Sequence, residues 1–408
     1  MSSSIRIAGL FAGIGGIELG FHRALGEAAE TILLCESWSP ARAVLAARFP
    51  DVELHPDVRL FKDLPSELDV LTAGFPCTDL SQAGRTAGIG GDSSGLVAHV
   101  FEALRLAETR SRLPWLMIEN VPNMLALDRG RAMAYLIGEI EALGYRWAYR
   151  TVDTRSTGLP QRRRRVILLA SRTEDARAVL FSDDAGDRDL NSYLDDAFGF
   201  YWTEGRGGLG WARDAVPTLK GGSTIGISSP PAIWVPHAEI GRKFVRPSIE
   251  DAEHLQGFDR GWTEPSGDAF RRNGPRWKLV GNAVTVEVSS WVAGRLVRPG
   301  ELVGESRLWD GAAAWPSAAW GDTGKIWASD VSEFPILKPY SHLLDVVDAD
   351  TAEPLSLRGT AGFWKRLQQG NLGRHPEFRE NVAEHVRAMD VQATLFDREL
   401  RPSRAEAG

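Results

Sequence analysis

The chain has 408 residues, enough for two or more domains or for one domain with a large insertion and an extension. Its formal net charge of −7 excludes a protein coated in positive charge, although arginine runs at residues 162–165 and the cluster Arg271, Arg272, Arg276 and Lys278 allow a local basic groove. The two cysteines, Cys35 and Cys77, cannot build a disulfide framework, no apolar run approaches the roughly 20 residues that cross a bilayer, and residues 1–6 lack the apolar core of a signal peptide, so a cytoplasmic location is expected.

Residues 5–10 predict a short strand running into Phe11-Ala12-Gly13-Ile14-Gly15-Gly16, after which Ile17, Leu19, Phe21 and Leu25 have helical spacing. A strand, a glycine turn and a helix start let backbone approach a ligand closely. The dinucleotide fingerprint would need a further glycine at position 18, which is Glu18, so a nicotinamide cofactor is disfavoured. Residues 31–35 form a second predicted strand with Glu36 at its carboxyl end. That acid can accept from both ribose hydroxyls of an adenosine-containing cofactor, or serve as a helix-start carboxylate before Pro40. Asp57-Val58 follows a reversal at His55-Pro56, where an aspartate can accept from an adenine amino group or cap the turn.

After Asp69 an apolar run reads as a buried strand that Gly74 and Pro76 end abruptly, so Cys77 is delivered on a turn at the strand's carboxyl end. Ligands of open α/β sheets sit beyond such ends, which favours a nucleophile over a buried core thiol. The polar, glycine-rich stretch to Gly95 reads as a loop that closes over substrate. A helix through Val97, Val100, Phe101 and Leu104 leads to a strand at 115–118 ending in Glu119-Asn120-Val121-Pro122, and a further helix spans Met133 to Leu143. The run Gln161 to Arg165 precedes the strand 166–170; alternation would put Arg163 and Arg165 on one face and Arg162 and Arg164 on the other. From about 171 to 245 strand-helix alternation stops in glycine-rich, aromatic, polar loops suited to following a nucleic-acid groove. Residues 246–258 start helically and stop at Gly257, Gly281-Asn282-Ala283-Val284 opens a helix, and tryptophans 309, 315, 320 and 327 mark a compositional shift beyond Pro299.

In this order the set resembles the DNA cytosine-5 methyltransferases: the glycine turn at Phe11, the acids Glu36 and Asp57, Gly74-Phe75-Pro76-Cys77, Glu119-Asn120-Val121, the Gln161 to Arg165 run, Leu255-Gln256-Gly257-Phe258 and Gly281-Asn282-Ala283-Val284. The resemblance implies an α/β class, with a Rossmann-like S-adenosylmethionine-dependent methyltransferase sheet, a smaller loop-rich target-recognition domain and a C-terminal extension. The expected division is 1–175 catalytic and cofactor-binding, 176–245 target recognition, 246–298 a return to the catalytic domain, and 299–408 an extension ranked first as structural support. Expected partners are duplex DNA and a restriction endonuclease or other defence protein, with no membrane and no metal. The chain is expected to act as a monomer in the bacterial cytosol or nucleoid.

Carried over residue by residue, Cys77 would add to cytosine C6, Glu119 would neutralise N3 and hold the exocyclic amine, and Arg163 with Arg165 would face O2. The target base must be flipped out of its stack for any of this. Phe11 would lie against the cofactor and Gly13, Gly15 and Gly16 would permit its approach. Glu36 would bind ribose, Asp57 and Val58 adenine, and Asn282 and Val284 would complete the pocket. The chain departs from the family at Thr78 where Gln is usual, at Thr285 where Pro is usual, and at Ser93-Ser94 where an arginine is common. An RNA cytosine-5 methyltransferase and a non-catalytic DNA-binding regulator are the alternatives. The recognition region argues against the first, and the presence of Cys77 and Glu119 against the second.

Overall fold

The computed structural model describes residues 4–60, 63–76, 95–109, 112–203, 208–221, 230–267, 274–311 and 314–399, of which 391–399 as backbone only. Buried strands alternate with amphipathic helices through the first part of the chain: β1 (Ile5–Leu10), α1 (Gly16–Leu25), β2 (Ala29–Cys35), α2 (Ser39–Arg48), β3 (Glu53–His55), β4 (Val70–Ala73), α3 (Leu96–Glu108), β5 (Trp115–Asn120), α4 (Arg131–Ala142) and β6 (Arg146–Asp153). All of β4 and nearly all of β5 are buried, as parallel strands covered on both faces must be. After a two-residue β7 (Gln161–Arg162), β8 (Arg164–Ser171) inserts antiparallel between β5 and β6, giving the order β6-β8-β5-β4-β1-β2-β3. The chain moves outward from β1 to β3 and then returns to β4 on the other side of β1. The crevice beyond Leu10 and Ala73 is therefore a topological switch point, where α/β sheets hold ligands.

Past α5 (Arg177–Leu180) the strands shorten to β9 (Phe198–Phe200), β10 (Ala212–Arg213), β11 (Val216–Pro217), β12 (Ala232–Trp234) and β13 (Phe244–Arg246). Then α6 (Ile249–Leu255), α7 (Gly274–Asn282) and α8 (Val286–Val297) lead back to the large sheet. Helix α8 lies along α1 at a distance only glycine allows, since a Cβ on Gly20 would stand 2.5 Å from the Ser289 Cβ and 2.7 Å from the Val286 carbonyl oxygen.

The segment beyond Pro299 is not a separate module. Its β14 (Ser306–Leu308), β15 (Ala318–Asp322) and β16 (Lys325–Ser329) extend the large sheet to ten strands from the β6 edge. A short α9 (Leu343–Val346) follows, and β17 (Glu353–Pro354) pairs with β13 to complete a five-stranded sheet ordered β10-β9-β12-β13-β17. Helices α10 (Leu357–Gln369) and α11 (Phe378–Glu399) bring Phe363, Leu367, Phe378 and Val382 against Phe198, Phe200, Trp234 and Phe244 of that sheet. The physical reason is plain: β6 needs a partner along its edge, and a small sheet with an aromatic face needs a cover. The tryptophans serve the same join, with Trp320 stacked on Trp327 at 4.1 Å and the Arg177 guanidinium 4.1 Å above Trp320. Among the described residues no helix is long and apolar enough to cross a membrane.

One charge lies inside this frame. Glu18, in the first turn of α1, is fully buried between β1 and β4; its Oε1 accepts from the Thr72 hydroxyl at 2.8 Å and its Oε2 has no hydrogen-bond partner among the described residues. Burial raises its pKa against the weaker lowering by its backbone and Thr72 contacts. A carboxyl raised in the folded state contributes fully below its unfolded value near 4.5 and costs stability as pH climbs above it, because the unfolded chain gives up the proton first. Glu18→Gln should therefore melt progressively higher than the parent as pH rises from 4.5 to 7, by at most about 1.4 kcal/mol per pH unit. A melting difference that does not change with pH would show that Glu18 is ionised in the folded protein.

Candidate active site

The carboxyl ends of β1, β2 and β3 enclose a cleft of about 200 Å³ lined by Phe11, Cys35, Glu36, Ser37, Asp57, Val58, Arg59 and Leu96. The glycine turn shapes its floor. Phe11 (φ 56°), Gly13 (φ 59°) and Gly15 (φ 79°) all have left-handed backbone, unusual for a phenylalanine and natural for the glycines. Around a Cβ placed on Gly13 there is nothing within 4 Å among the described residues, so that glycine faces open space. The same atom on Gly15 would strike the Phe49 ring at 2.4 Å, and on Gly16 the Val284 carbonyl at 2.8 Å. Gly15 and Gly16 thus serve packing, and Gly13 leaves room in the crevice.

Glu36 stands at the carboxyl end of β2, on the wall of the cleft, and holds the start of α2. Its Oε2 accepts from the Gly13 amide at 2.9 Å and its Oε1 from the Trp38 amide at 2.8 Å, at the start of α2. The carboxylate is locked in place with lone pairs to spare for two vicinal hydroxyls. Asp57 is held by Arg59, whose Nε stands 3.0 Å from both carboxylate oxygens and whose backbone amide donates at 2.9 Å. The side-chain bond from Arg59, with its backbone bond second, holds the Asp57 carboxyl down at about 2. Val58 is buried beside it. Burial, with Glu36 and Asp57 nearby, pushes the Cys35 thiol up to about 12, so this cysteine stays protonated and inert.

On the opposite side of the switch point, β4 runs into Gly74-Phe75-Pro76; Cys77 itself lies outside the described residues, as does most of the loop before Gly95. The stretch leading to Cys77 is fixed from β5: Asn120, given no role by the sequence reading, donates from Nδ2 to the Phe75 carbonyl at 2.9 Å, and the Phe75 ring meets Phe11 edge-on at 6.2 Å. Next to it Glu119 is 7 % exposed, with Oε1 2.9 Å from Arg165 Nε. That oxygen is buried with no well-aligned hydrogen-bond donor among the described residues.

Arg163 does not share the role expected for it beside Arg165. It is 1 % exposed, and its guanidinium donates to the carbonyls of Leu219 at 3.1 Å, Gly281 at 3.3 Å and Ala283 at 2.6 Å. Alternation holds across the short break between β7 and β8: Arg163 and Arg165 turn inward, the latter side chain 11% exposed, and the Arg164 side chain is 51% exposed, but only Arg163 ends on main-chain carbonyls. Around it the later motifs converge. Gln161 Nε2 donates to the Gln256 side-chain oxygen at 3.0 Å, Gln256 Nε2 donates to the Val280 carbonyl at 2.9 Å, and the Thr285 hydroxyl reaches the same Gln256 oxygen at 3.2 Å and Thr154 at 2.9 Å. The hydroxyl at 285, absent from a proline, thus joins the network. Gly281 allows the Lys220–Gly221 backbone to cross, since a Cβ there would be 2.2 Å from the Lys220 carbonyl carbon. The Val284 carbonyl packs against Gly16 and Asn282 is exposed under Gly221, and neither is among the residues that line the cleft.

The description "C-5 cytosine-specific DNA methylase" matches residues 5–194. The chain is 45% identical over 397 residues to the Type II methyltransferase M2.BsuMI of Bacillus subtilis (strain 168), covering 92% of this chain and 96% of the relative. It is 32% identical over 200 residues to the Type II methyltransferase M.BanI of Aneurinibacillus aneurinilyticus, 48% of this chain and 45% of that one. In fold it is similar to the Dnmt2 methyltransferase of S. pombe, with a TM-score of 0.52 and 16% identity over 72% of this chain and 98% of the other. With this sheet, this switch-point cleft and a relative aligned along nearly its whole length, the chain belongs to the C-5 cytosine-specific DNA methylases and is a DNA cytosine methyltransferase homologous to bacterial Type II enzymes.

Proposed function

We propose that this chain moves the methyl group of S-adenosylmethionine to C5 of a cytosine extruded from duplex DNA, with Cys77 as nucleophile and Glu119 and Arg165 holding the ring. The observation that carries the reading is the buried Glu119 oxygen, paired to Arg165 yet lacking an aligned donor, beside the segment that leads to Cys77. The cofactor's chemistry is an electrophilic methyl on a sulfonium. The residues of the cleft fit such a group: Glu36 for the ribose hydroxyls, Asp57 and Val58 for adenine, Phe11 and Leu96 as apolar walls, and the open space at Gly13.

Cytosine C5 is too weak a nucleophile by itself. The Cys77 thiolate forms a bond to C6, and the ring electrons shift toward N3, where Glu119 supplies a proton or shares one. The guanidinium of Arg165 faces O2 and holds the Glu119 carboxyl in place. C5 then takes the methyl group, its proton leaves to a base, and the electron pair of that bond expels Cys77 and restores the aromatic ring. Likeness to bacterial Type II methyltransferases supports a place beside a cognate restriction endonuclease or another defence protein, in the bacterial cytosol, with one chain supplying the whole site.

Bisulfite sequencing of DNA from a methylation-free host expressing the chain should show 5-methylcytosine in one sequence context, and unmethylated DNA throughout would overturn the activity. Cys77→Ser should bind S-adenosylmethionine and lose methyl transfer by more than about a thousandfold; retained turnover would move the nucleophile elsewhere. Alkylation of the native enzyme at pH 8 should spare Cys35, whose thiol is held near 12, and rapid modification of that residue by mass spectrometry would contradict its burial. Asn120→Ala should lower kcat by about tenfold or more, the effect of freeing one buried carbonyl, while cofactor affinity changes less than about threefold. An equal loss in both would mean that Asn120 supports the cofactor cleft rather than the segment before Cys77.

A further inference from the structure

Arg165, the partner of Glu119, also lines a second cleft together with Arg155, Arg162 and Arg164. Three of these cations are spoken for by carboxylates: Arg155 by Asp153 at 2.8 Å, Arg165 by Glu119 at 2.9 Å, and Arg164 by Glu333, with Nε 2.6 Å from Oε2 and a second nitrogen on Oε1. Arg162 has no carboxylate partner among the described residues, and it is crowded by Arg155 and Arg164 in a half-buried position. The exposed Asp187 is the other acid on the wall. Such a concentration of guanidinium groups attracts an anion.

Glu333 comes from the segment between β16 and α9, far along the chain from the arginine run. Its main chain is fixed, since its carbonyl accepts from the Asp153 amide at 2.9 Å, but its side chain is 25% exposed and that of Arg164 is 51% exposed. The pair is a two-pronged contact of a kind that an exposed position does little to stabilise and that a phosphate's oxygens reproduce.

We propose that this cleft holds a backbone phosphate of the substrate DNA next to the extruded cytosine, with Arg162 as its direct ligand and Glu333 as a carboxylate stand-in that a phosphate displaces from Arg164. The inference rests on the DNA reading above. An extruded nucleotide stays joined to its neighbours, so the flanking sugar-phosphate must pass the rim of the pocket that takes its base, and Arg165 is common to both. The carboxylate keeps Arg164 ordered and its charge compensated between encounters, which weakens binding to any duplex and leaves the extra contact to complexes with the base in place.

The test uses the full chain and its Glu333→Gln, Arg162→Gln, Arg164→Gln and Glu333→Gln/Arg164→Gln variants, each checked for an unaltered melting profile. Dissociation constants for a mixed-sequence duplex and for a duplex methylated by the parent enzyme are measured across a potassium chloride series. Glu333→Gln should tighten both by about 3–10-fold at low salt and steepen the log–log salt dependence by about one, as one added phosphate contact does. Arg162→Gln should weaken both and flatten the slope by about one. In the Arg164→Gln background, Glu333→Gln should have no further effect. Unchanged slopes, or tightening that persists without Arg164, would overturn the proposal and leave Glu333 as a general surface charge. Failure of the parent chain to methylate any duplex would instead sink the DNA reading itself, a result independent of the slopes.

Discussion

The arrangement depends on one buried cation. Arg163 stands without a carboxylate bonded to it among the described residues, and burial, with Arg165 second, holds its pKa well below the ordinary range. A charge so placed persists only where dipoles replace the lost water, and here three main-chain carbonyls do so, from Leu219 of the smaller domain and from Gly281 and Ala283 at the junction of α7 and α8. Without it the Leu219 and Gly281 carbonyls would lose this donor, at about 1–3 kcal/mol apiece, while the Ala283 carbonyl would keep Gln256 Nε2 at 3.3 Å. The residue is thus a tie among three stretches remote in sequence, and it holds the segment after β11 and the junction of α7 and α8 against the end of β7.

Its neighbours make the tie directional. The segment 216–219 runs parallel to 160–163, with Val216 donating to the Pro160 carbonyl at 2.9 Å, the Thr218 hydroxyl to the Arg162 carbonyl at 2.9 Å and the Leu219 amide to Gln161 at 3.2 Å. Gln161 and Gln256 then close the network from the inside. A polar network of this kind is costly if half satisfied and specific when complete, because shifting the segment by one residue would strand several donors together. It fixes one register of the 216–219 segment instead of a family of sliding ones, and Arg162 and Arg164 beside it line the neighbouring cleft.

What could be read from the chain beforehand divides along physical lines. Continuous buried strands such as 70–73 and 115–120 carry a strong local signal, and a side chain at the end of such a strand inherits its position, which is why Glu36, Asp57 and Glu119 stand at the crevice as expected. Alternation paired Arg163 with Arg165 and both do turn inward, but it could not announce that Arg163 would end on three main-chain carbonyls from segments remote in sequence. Asn282 was placed by its motif, yet the crossing of Lys220 and Gly221 above Gly281 decides what that helix end can touch. Strands of two or three residues, as in the smaller sheet, are too short to show a period, and the pairing of β15 with β6 links residues so far apart that no local pattern could announce it.

The two cysteines show how the sheet edge divides its labour. A thiol is useful as a nucleophile only if its anion is accessible, and negative neighbours work against that. The acids suited to an adenosine-type group stand at the ends of β2 and β3, and they are the ones that, after burial, push Cys35 upward. A nucleophile could not operate among them. Past β4, on the other side of β1, the acid at the end of β5 is Glu119, and it is already paired with Arg165. The same acids that crowd the ends of β2 and β3 therefore exclude Cys35 from covalent work, while the switch in strand order separates that half of the crevice from the Glu119–Arg165 pair.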